Sequence, residues 1–251
     1  MYFPSASGEY LSLEVAGFSY KLDTQYSDFW HKASSGVWEP NTYKVLNHFL
    51  DAQSTYCDIG AWIGPTVLHA AKLAQKVVCF EPDPTAYRFL RTNIDLNQLG
   101  NVTSYSFALS TTFGVARMAS HRGKPGDSMT SLLFDNQSSG IDVLTVPWQQ
   151  FIDASPDRVF DVMKIDVEGA EFDLLPSMLD YLKAHKPTLY LSTHAPLLDE
   201  AERESKMAGL AKLLAIYRHC LTEELEEVDF SVLTSQDSLT RFKSFVFTDK
   251  R

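Results

Sequence analysis

Three short apolar runs each end on a residue able to bind or move a proton: Val77-Val-Cys-Phe80 before Glu81, Val162-Met-Lys-Ile165 before Asp166, and Leu189-Tyr-Leu-Ser-Thr193 before His194. In an open parallel sheet, ligands sit outside the carboxyl ends of the strands, so these three side chains are candidates for contact with a bound molecule. An imidazole with an unperturbed pKa near ~6.5 is neutral enough to take a proton at cytosolic pH, and we read His194 as a general base. Asp166 stands beside it as a second catalytic candidate. Glu168, in the turn beyond, is placed to hold an acceptor hydroxyl, whereas Glu171 suits a helix amino terminus, where a carboxylate is favoured. Asp166, Glu168 and His194 could instead share a divalent cation that lowers the pKa of the acceptor. No tight ligand spacing compels this, and no metal ligand is assigned.

Binding chemistry is carried by Cys57-Asp58-Ile-Gly60-Ala61-Trp62-Ile-Gly64, which follows a strand and opens a helix. Its glycines stand where the backbone must turn sharply and approach a ligand. Such a turn serves dinucleotides, through their pyrophosphate, and also S-adenosylmethionine, which has no phosphate. Ala61 and the bulky Trp62 fill the space where phosphates would meet bare backbone in the Gly-x-Gly-x-x-Gly pattern, which disfavours a dehydrogenase. Asp58 would repel a pyrophosphate but can accept from the ammonium of a methionine moiety, directly or through water. About twenty residues on, Glu81 is placed to accept from both ribose hydroxyls, a contact that NAD and S-adenosylmethionine would share.

The elements that must position these groups alternate. Strands over 55–59, 77–80, 102–107, 159–165 and 188–192, with helices over 65–73, 85–96 and 170–182, imply a parallel sheet covered by helices. The helix over 170–182 is interrupted near Pro176. Ahead of them, residues 10–22 suit a hairpin or edge strand, and 26–32 and 42–50 have helical spacing, the latter started by Pro40 and Asn41. Residues 110–140 read as an excursion of short strands and a loop centred on Gly123-Lys-Pro-Gly126, whose His121, Arg122 and Lys124 are mainly solvated charge. A helix is expected over 200–217, and the strand candidates 228–233 and 242–247 as a terminal antiparallel hairpin.

Together, Asp58-Ile-Gly-Ala-x-Ile-Gly64, Phe80-Glu-Pro-x-Pro84 with Asn93 and Asn97, and Lys164-Ile-Asp-Val-Glu-Gly-Ala-Glu171 resemble the FkbM-type methyltransferases. The likeness covers about Trp38 to His194. It implies a Rossmann-like class I methyltransferase fold: α/β, with a seven-stranded, mostly parallel sheet, helices on both faces and an antiparallel last strand. It also implies S-adenosyl-L-methionine as methyl donor and the hydroxyl of a small molecule, sugar or polyketide-like natural product as acceptor. Glu39, in Trp38-Glu-Pro40, matches a Glu-Pro pair of the family and joins the expected cofactor contacts. Ala108 lies where family members approach the adenine ring. The cofactor set is then Glu39, Asp58, Gly60, Ala61, Trp62, Gly64, Glu81, Pro82, Ala108 and Asp166.

Length and 45% hydrophobic content suit one domain over residues 1–251, with 1–50 as an extension capping the cofactor site and 51–251 as the core. A formal charge of -10 argues against nucleic acid as a partner. There is no apolar run of membrane-spanning length and no basic, apolar leader, so a cytoplasmic location without membrane contact is expected. Cys57, Cys79 and Cys220 are expected as buried thiols. The amphipathic helix over 201–217 offers a face for a homodimer. A NAD-dependent Rossmann oxidoreductase and a catalytically inactive methyltransferase-fold binding module are the competing readings.

Overall fold

Runs such as Val77–Phe80 and Val162–Ile165 are apolar at every position or nearly so, as strands buried on both faces must be. The computed structural model describes residues 9–120, 126–132 and 140–250. It opens with the hairpin β1 (Leu11–Val15) and β2 (Phe18–Leu22), then α1 (Ser27–Ser34) and α2 (Pro40–Phe49). Alternation follows: β3 (Thr55–Ile59), α3 (Pro65–Leu73), β4 (Lys76–Phe80), α4 (Pro84–Leu96) and β5 (Val102–Tyr105). The excursion holds β6 (Ala108–Ser110), β7 (Gly114–Ser120), β8 (Thr130–Ser131) and β9 (Ile141–Pro147), and leads into α5 (Trp148–Ala154). Next come β10 (Val162–Ile165), α6 (Glu171–Ser177), α7 (Leu179–His185), β11 (Thr188–Thr193) and α8 (Glu200–Leu214). The last elements are β12 (His219–Thr222), β13 (Glu227–Val228), α9 (Gln236–Thr240) and β14 (Lys243–Thr248).

The main sheet has the order β13-β12-β14-β11-β10-β3-β4-β5. The five strands from β11 to β5 pair in parallel, and β14 runs antiparallel between β11 and β12. Residues alternate between two cores. Cys57, Ile59, Val78, Phe80, Met163 and Ile165 face the side packed by α5 to α8, while Tyr56, Val77, Cys79 and Val162 face the side packed by α1 to α4. The chain leaves β3 towards β4 and β5 and returns on the other side to β10, so a crevice opens at the carboxyl ends of β3 and β10.

Several expectations need correction. The sheet has eight strands where seven were expected, because the two-residue β13 adds an edge. The terminal hairpin does not form: β14 pairs with β11 and with β12, a strand not expected, and residues 230–234 are a 3₁₀ turn. Cys220 lies in β12, which follows α8, and all three cysteines are buried and free. The break between α6 and α7 falls at Met178, Pro176 being accommodated in the last turn of α6. His121, Arg122 and Lys124 lie outside the described residues. Among the described residues, no helix is long and apolar enough to cross a membrane.

The amino-terminal hairpin is fastened to α4 by the two family asparagines. Asn97 accepts from the Lys21 amide and donates to its carbonyl. Asn93, fully buried, accepts from the Asp23 amide and donates to the Asp23 carboxylate and to the Ile63 carbonyl, all within 3.0 Å. One amide side chain thereby joins the hairpin to the turn after β3.

Candidate active site

The turn after β3 is stitched to its neighbours. The amides of Gly60 and Ala61 both reach the Phe80 carbonyl, at 3.0 and 2.9 Å, and the Asp166 amide reaches the Ile59 carbonyl at 2.9 Å. Gly60 has φ +92°, and a Cβ there would lie 1.8 Å from the Asp166 carbonyl oxygen. Gly64, at φ +96°, opens α3 with Leu90 where a Cβ would point, 2.7 Å away. Left-handed backbone and close protein packing therefore require glycine at both positions.

Trp62 also sits in the left-handed region, at φ +48°, a cost of roughly 1 kcal/mol or more that its partners must offset. Its amide donates to Glu81 Oε2 at 2.7 Å and its indole Nε1 to the Gly126 carbonyl at 2.8 Å. The indole meets Phe29 and Tyr26 edge-on, and Tyr26 Oη donates to the same Gly126 carbonyl at 3.0 Å. The Gly126 amide in turn reaches Asp83 Oδ2. The segment 126–132 is thus held over the turn at its first residue.

Glu81 is 5% exposed and accepts from two amides, Trp62 at Oε2 and Asp83 at Oε1, both at 2.7 Å. Burial pushes its carboxyl up to about 8, against the pull of those two bonds. With Pro82, Ala108, Phe107, Met118 and Leu132 it lines a cavity of about 60 Å³. That is far below the roughly 300 Å³ at which small-molecule pockets begin.

A second cleft of about 630 Å³ opens at the carboxyl ends of β3, β10 and β11. Ala61 and Glu39 line it, Glu39 at its accessible mouth, accepting from Thr42 Oγ1. The cleft walls, then the Asp166 charge, raise the Glu39 carboxyl. Asp58 does not reach the cleft surface. It is wholly buried, its Oδ2 accepting from Tyr56 and Thr66 while Oδ1 has no partner, and burial raises its carboxyl. Thr66, which does line the cleft, stands between Asp58 and any ligand.

Asp166, Glu168 and His194 converge as expected. Asp166 Oδ1 lies 3.3 Å from His194 Nε2, and Glu168 Oε2 lies 3.6 Å from it. Glu171, fully buried, grips the other side of His194, accepting its amide at 2.7 Å and facing Nδ1 at 3.2 Å. Asp166 Oδ2 accepts from the buried Lys164 Nζ at 2.7 Å. Burial opposes charge on His194, but the bonds to Asp166 and Glu171 carry it up to about 11. Burial would likewise raise Asp166, yet Lys164 and His194 hold it well below the usual carboxylate range. Burial lifts Glu168 to about 7, with His194 pulling the other way. The three carboxylates that ring His194 favour a proton on its imidazole over the neutral form expected of a base.

A family model for the methyltransferase FkbM domain matches residues 58–221, well over half of the chain, and leaves out Tyr26, Phe29, Glu39, Thr42 and Tyr56 among the side chains just described. The chain belongs to the FkbM methyltransferase family. No curated protein sequence matches it. Among solved structures, methyltransferase FkbM from Methylobacillus flagellatus KT is similar at 14% identity with a TM-score of 0.47, covering 86% of this chain and 60% of that one. SMU.1697c from Streptococcus mutans, in complex with SAH, is similar at 11% identity and TM-score 0.47, covering 82% and 94%. Precorrin-6y C5,15-methyltransferase from Geobacter metallireducens GS-15 follows at 14% and 0.44, covering 82% and 85%. This methyltransferase chain thus spans less than two thirds of the first of these proteins.

Three groups of the candidate site escaped sequence reasoning: the buried Lys164, the support given by Glu171, and the Gly126 clamp. Lys164 carried a signal, since a lysine between Met163 and Ile165 in a buried strand needs a charged partner. The clamp carried none, because Tyr26, Trp62 and Gly126 are far apart in sequence.

Proposed function

We propose that this methyltransferase transfers a methyl group from S-adenosyl-L-methionine to a hydroxyl of a small polar acceptor. The observation that carries the reading is that the Glu81 cavity and the 630 Å³ cleft share walls: Gly60, Trp62, Ser128, Asp166 and Glu168 line both. A nucleoside held at Glu81 therefore continues past Gly60 into the cleft beside Asp166 and Glu168. Bound there, S-adenosyl-L-methionine would supply an electrophilic methyl on its sulfonium.

The residues of the chain do the rest. Glu81 has lone pairs left beyond its two amide bonds to accept ribose hydroxyls. Trp62 and the segment 126–132 exclude water above the turn. Glu39, at the cleft mouth, is available to the ammonium of the methionine moiety, a role Asp58 can take only through Thr66. The buried cluster of Asp166, Glu168 and His194 orients the acceptor oxygen in line with the donor. As the O–C bond would form and the C–S bond break, Glu168, which burial lifts to about 7, would take the hydroxyl proton.

A hydroxyl acceptor is favoured by the cleft lining. Ser192, Ser235, Ser238 and Ser244 offer hydroxyls, and Trp38 and Phe242 offer apolar faces, the mixture that binds polyols. Glu223, Glu224 and Asp237 on the same walls are unfavourable to a phosphate backbone. The test is formation of S-adenosylhomocysteine from S-adenosylmethionine over a panel of sugars, polyols, amines and RNA. Turnover with a hydroxylated small molecule, lost in Asp166→Asn, is the expected result; turnover confined to amines or RNA would refute the reading.

A further inference from the structure

The four-residue cluster at the ends of β10 and β11 has the construction of a metal centre. His194, Asp166 and Glu168 each bring one ligand atom, a ring nitrogen or a carboxylate oxygen, within 4.8 Å of the other two. The two edges that meet at Nε2 measure 3.3 and 3.6 Å, short enough for either pair of atoms to share an ion at the roughly 2.0–2.2 Å of a bond from a divalent transition metal to nitrogen or oxygen.

Two further features separate this cluster from a chance gathering of acids. Glu168 Oε2 is buried and, among the described residues, has no hydrogen-bond partner, facing His194 Nε2 only at 3.6 Å, a state that costs free energy unless something meets it more closely. Glu171 holds the opposite nitrogen of the same imidazole, with its own Oε2 fixed by the Gly169 amide at 2.8 Å. A carboxylate on Nδ1 is how proteins aim Nε2 of a ligating histidine and raise its basicity. Lys164 occupies Asp166 Oδ2, so it leaves Oδ1 facing the cluster.

We infer that Asp166, Glu168 and His194 form a site for one divalent cation of the manganese class, with Glu171 as the residue that positions His194. One imidazole and two carboxylates suit such an ion better than a thiolate-seeking one, and three protein ligands leave positions open towards the cleft. The inference deepens the reading given above and rests on it for its chemistry: the ion takes the acceptor hydroxyl as a further ligand and lowers its pKa. The proton then leaves to water in the cleft, and the alkoxide attacks the methyl carbon with loss of the sulfur leaving group. No carboxylate base is needed once the ion is present.

The experiment is titration of the full chain with Mn²⁺ alone, followed by electron paramagnetic resonance, with S-adenosylhomocysteine binding measured on the same samples. One saturable ion per chain is expected, with a ¹⁴N coupling from the imidazole in the pulsed spectrum. That coupling should vanish in His194→Ala. Glu168→Gln should bind at least tenfold more weakly, and Glu171→Gln should lose about 10–100-fold while keeping the coupling. Wild-type protein that binds S-adenosylhomocysteine yet takes up no Mn²⁺ below millimolar concentration would overturn the inference, as would binding that His194→Ala and Glu168→Gln leave unchanged. Mn²⁺ bound with the ¹⁴N coupling but no S-adenosylhomocysteine uptake would uphold the site and count against the proposed methyl donor instead.

Discussion

Glu81→Gln is the most informative single substitution, because it changes a charge and almost no volume at the point where the cofactor is expected to be recognised. Each oxygen of Glu81 accepts one backbone amide at 2.7 Å, from Trp62 and from Asp83. A glutamine keeps one acceptor and sets its NH₂ against the other amide, so it loses a charge-assisted bond on the protein side and the acceptor for a ribose hydroxyl on the ligand side. A hydrogen bond to a charged group contributes about 1.5–3 kcal/mol, which converts to roughly a 10–100-fold loss of nucleoside affinity. The wild type should also show a pH dependence that the variant lacks. Burial holds Glu81 neutral up to about pH 8, and ribose donors favour the carboxylate, so affinity should rise with pH and level off above that value. At a pH one unit below the midpoint about a tenth of the carboxyl is ionised, so affinity should increase up to about tenfold between ~pH 7 and ~pH 9. 5′-Methylthioadenosine is the ligand of choice, because it carries the adenosine without the titrating amino group of the amino acid. Calorimetry across this range decides the matter. Binding by Glu81→Gln within threefold of wild type, or a flat wild-type profile, would refute the role given to Glu81. Stability should run the other way: the folded pKa lies above the unfolded one, so Glu81 destabilises the fold as pH rises through the interval between them, and Glu81→Gln should flatten that slope in urea melts.

Gly60→Ala forces a Cβ to within 1.8 Å of the Asp166 carbonyl in a left-handed conformation, and should cost roughly 3–5 kcal/mol in urea unfolding; a loss below about 1 kcal/mol would show that the turn relaxes freely. Gly209, exposed in the middle of α8 with nothing within 4 Å of where a Cβ would stand, should behave oppositely, Gly209→Ala stabilising by about 0.5–1 kcal/mol through helix propensity. Tyr26→Phe removes one of the two donors to the Gly126 carbonyl and should loosen the wall 126–132 by about 1 kcal/mol, seen as roughly fivefold faster amide exchange there. Unchanged exchange would mean that Trp62 and Asp83 hold the wall without it.

The central sheet was legible because β3, β4, β10 and β11 are buried on both faces, which forces apolar runs that a sequence displays openly. The far edge was not. β14 inserts between β11 and β12, pairing residues 243–248 with both 188–193 and 219–222, and no local pattern says that the last strand will return to the interior of the sheet. A hairpin with the preceding segment is the shorter connection, but residues 230–234 coil into a 3₁₀ turn and leave β12 as the available edge.

At the site, residue identity was easier to read than residue state. Gly60 and Gly64 were legible as turn residues, but that a Cβ at either would meet Asp166 or Leu90 was not. The protonation of His194 depends on three carboxylates, at 166, 168 and 171, that surround it, and spacing alone does not reveal which of them face inward.

Asp166 explains why the two cavities answer as one site. Its carbonyl packs against Gly60, its Oδ2 takes Lys164, and its Oδ1 faces His194. The backbone contact fixes the turn that carries Trp62, and Trp62 in turn ties Glu81 to the wall at Gly126. A change at the Asp166 side chain should therefore act first on the His194 and Glu168 cluster, while a change at Gly60 displaces the Asp166 backbone and reaches both cavities together. The two substitutions already named separate these routes: Asp166→Asn should spare nucleoside binding at Glu81, and Gly60→Ala should not.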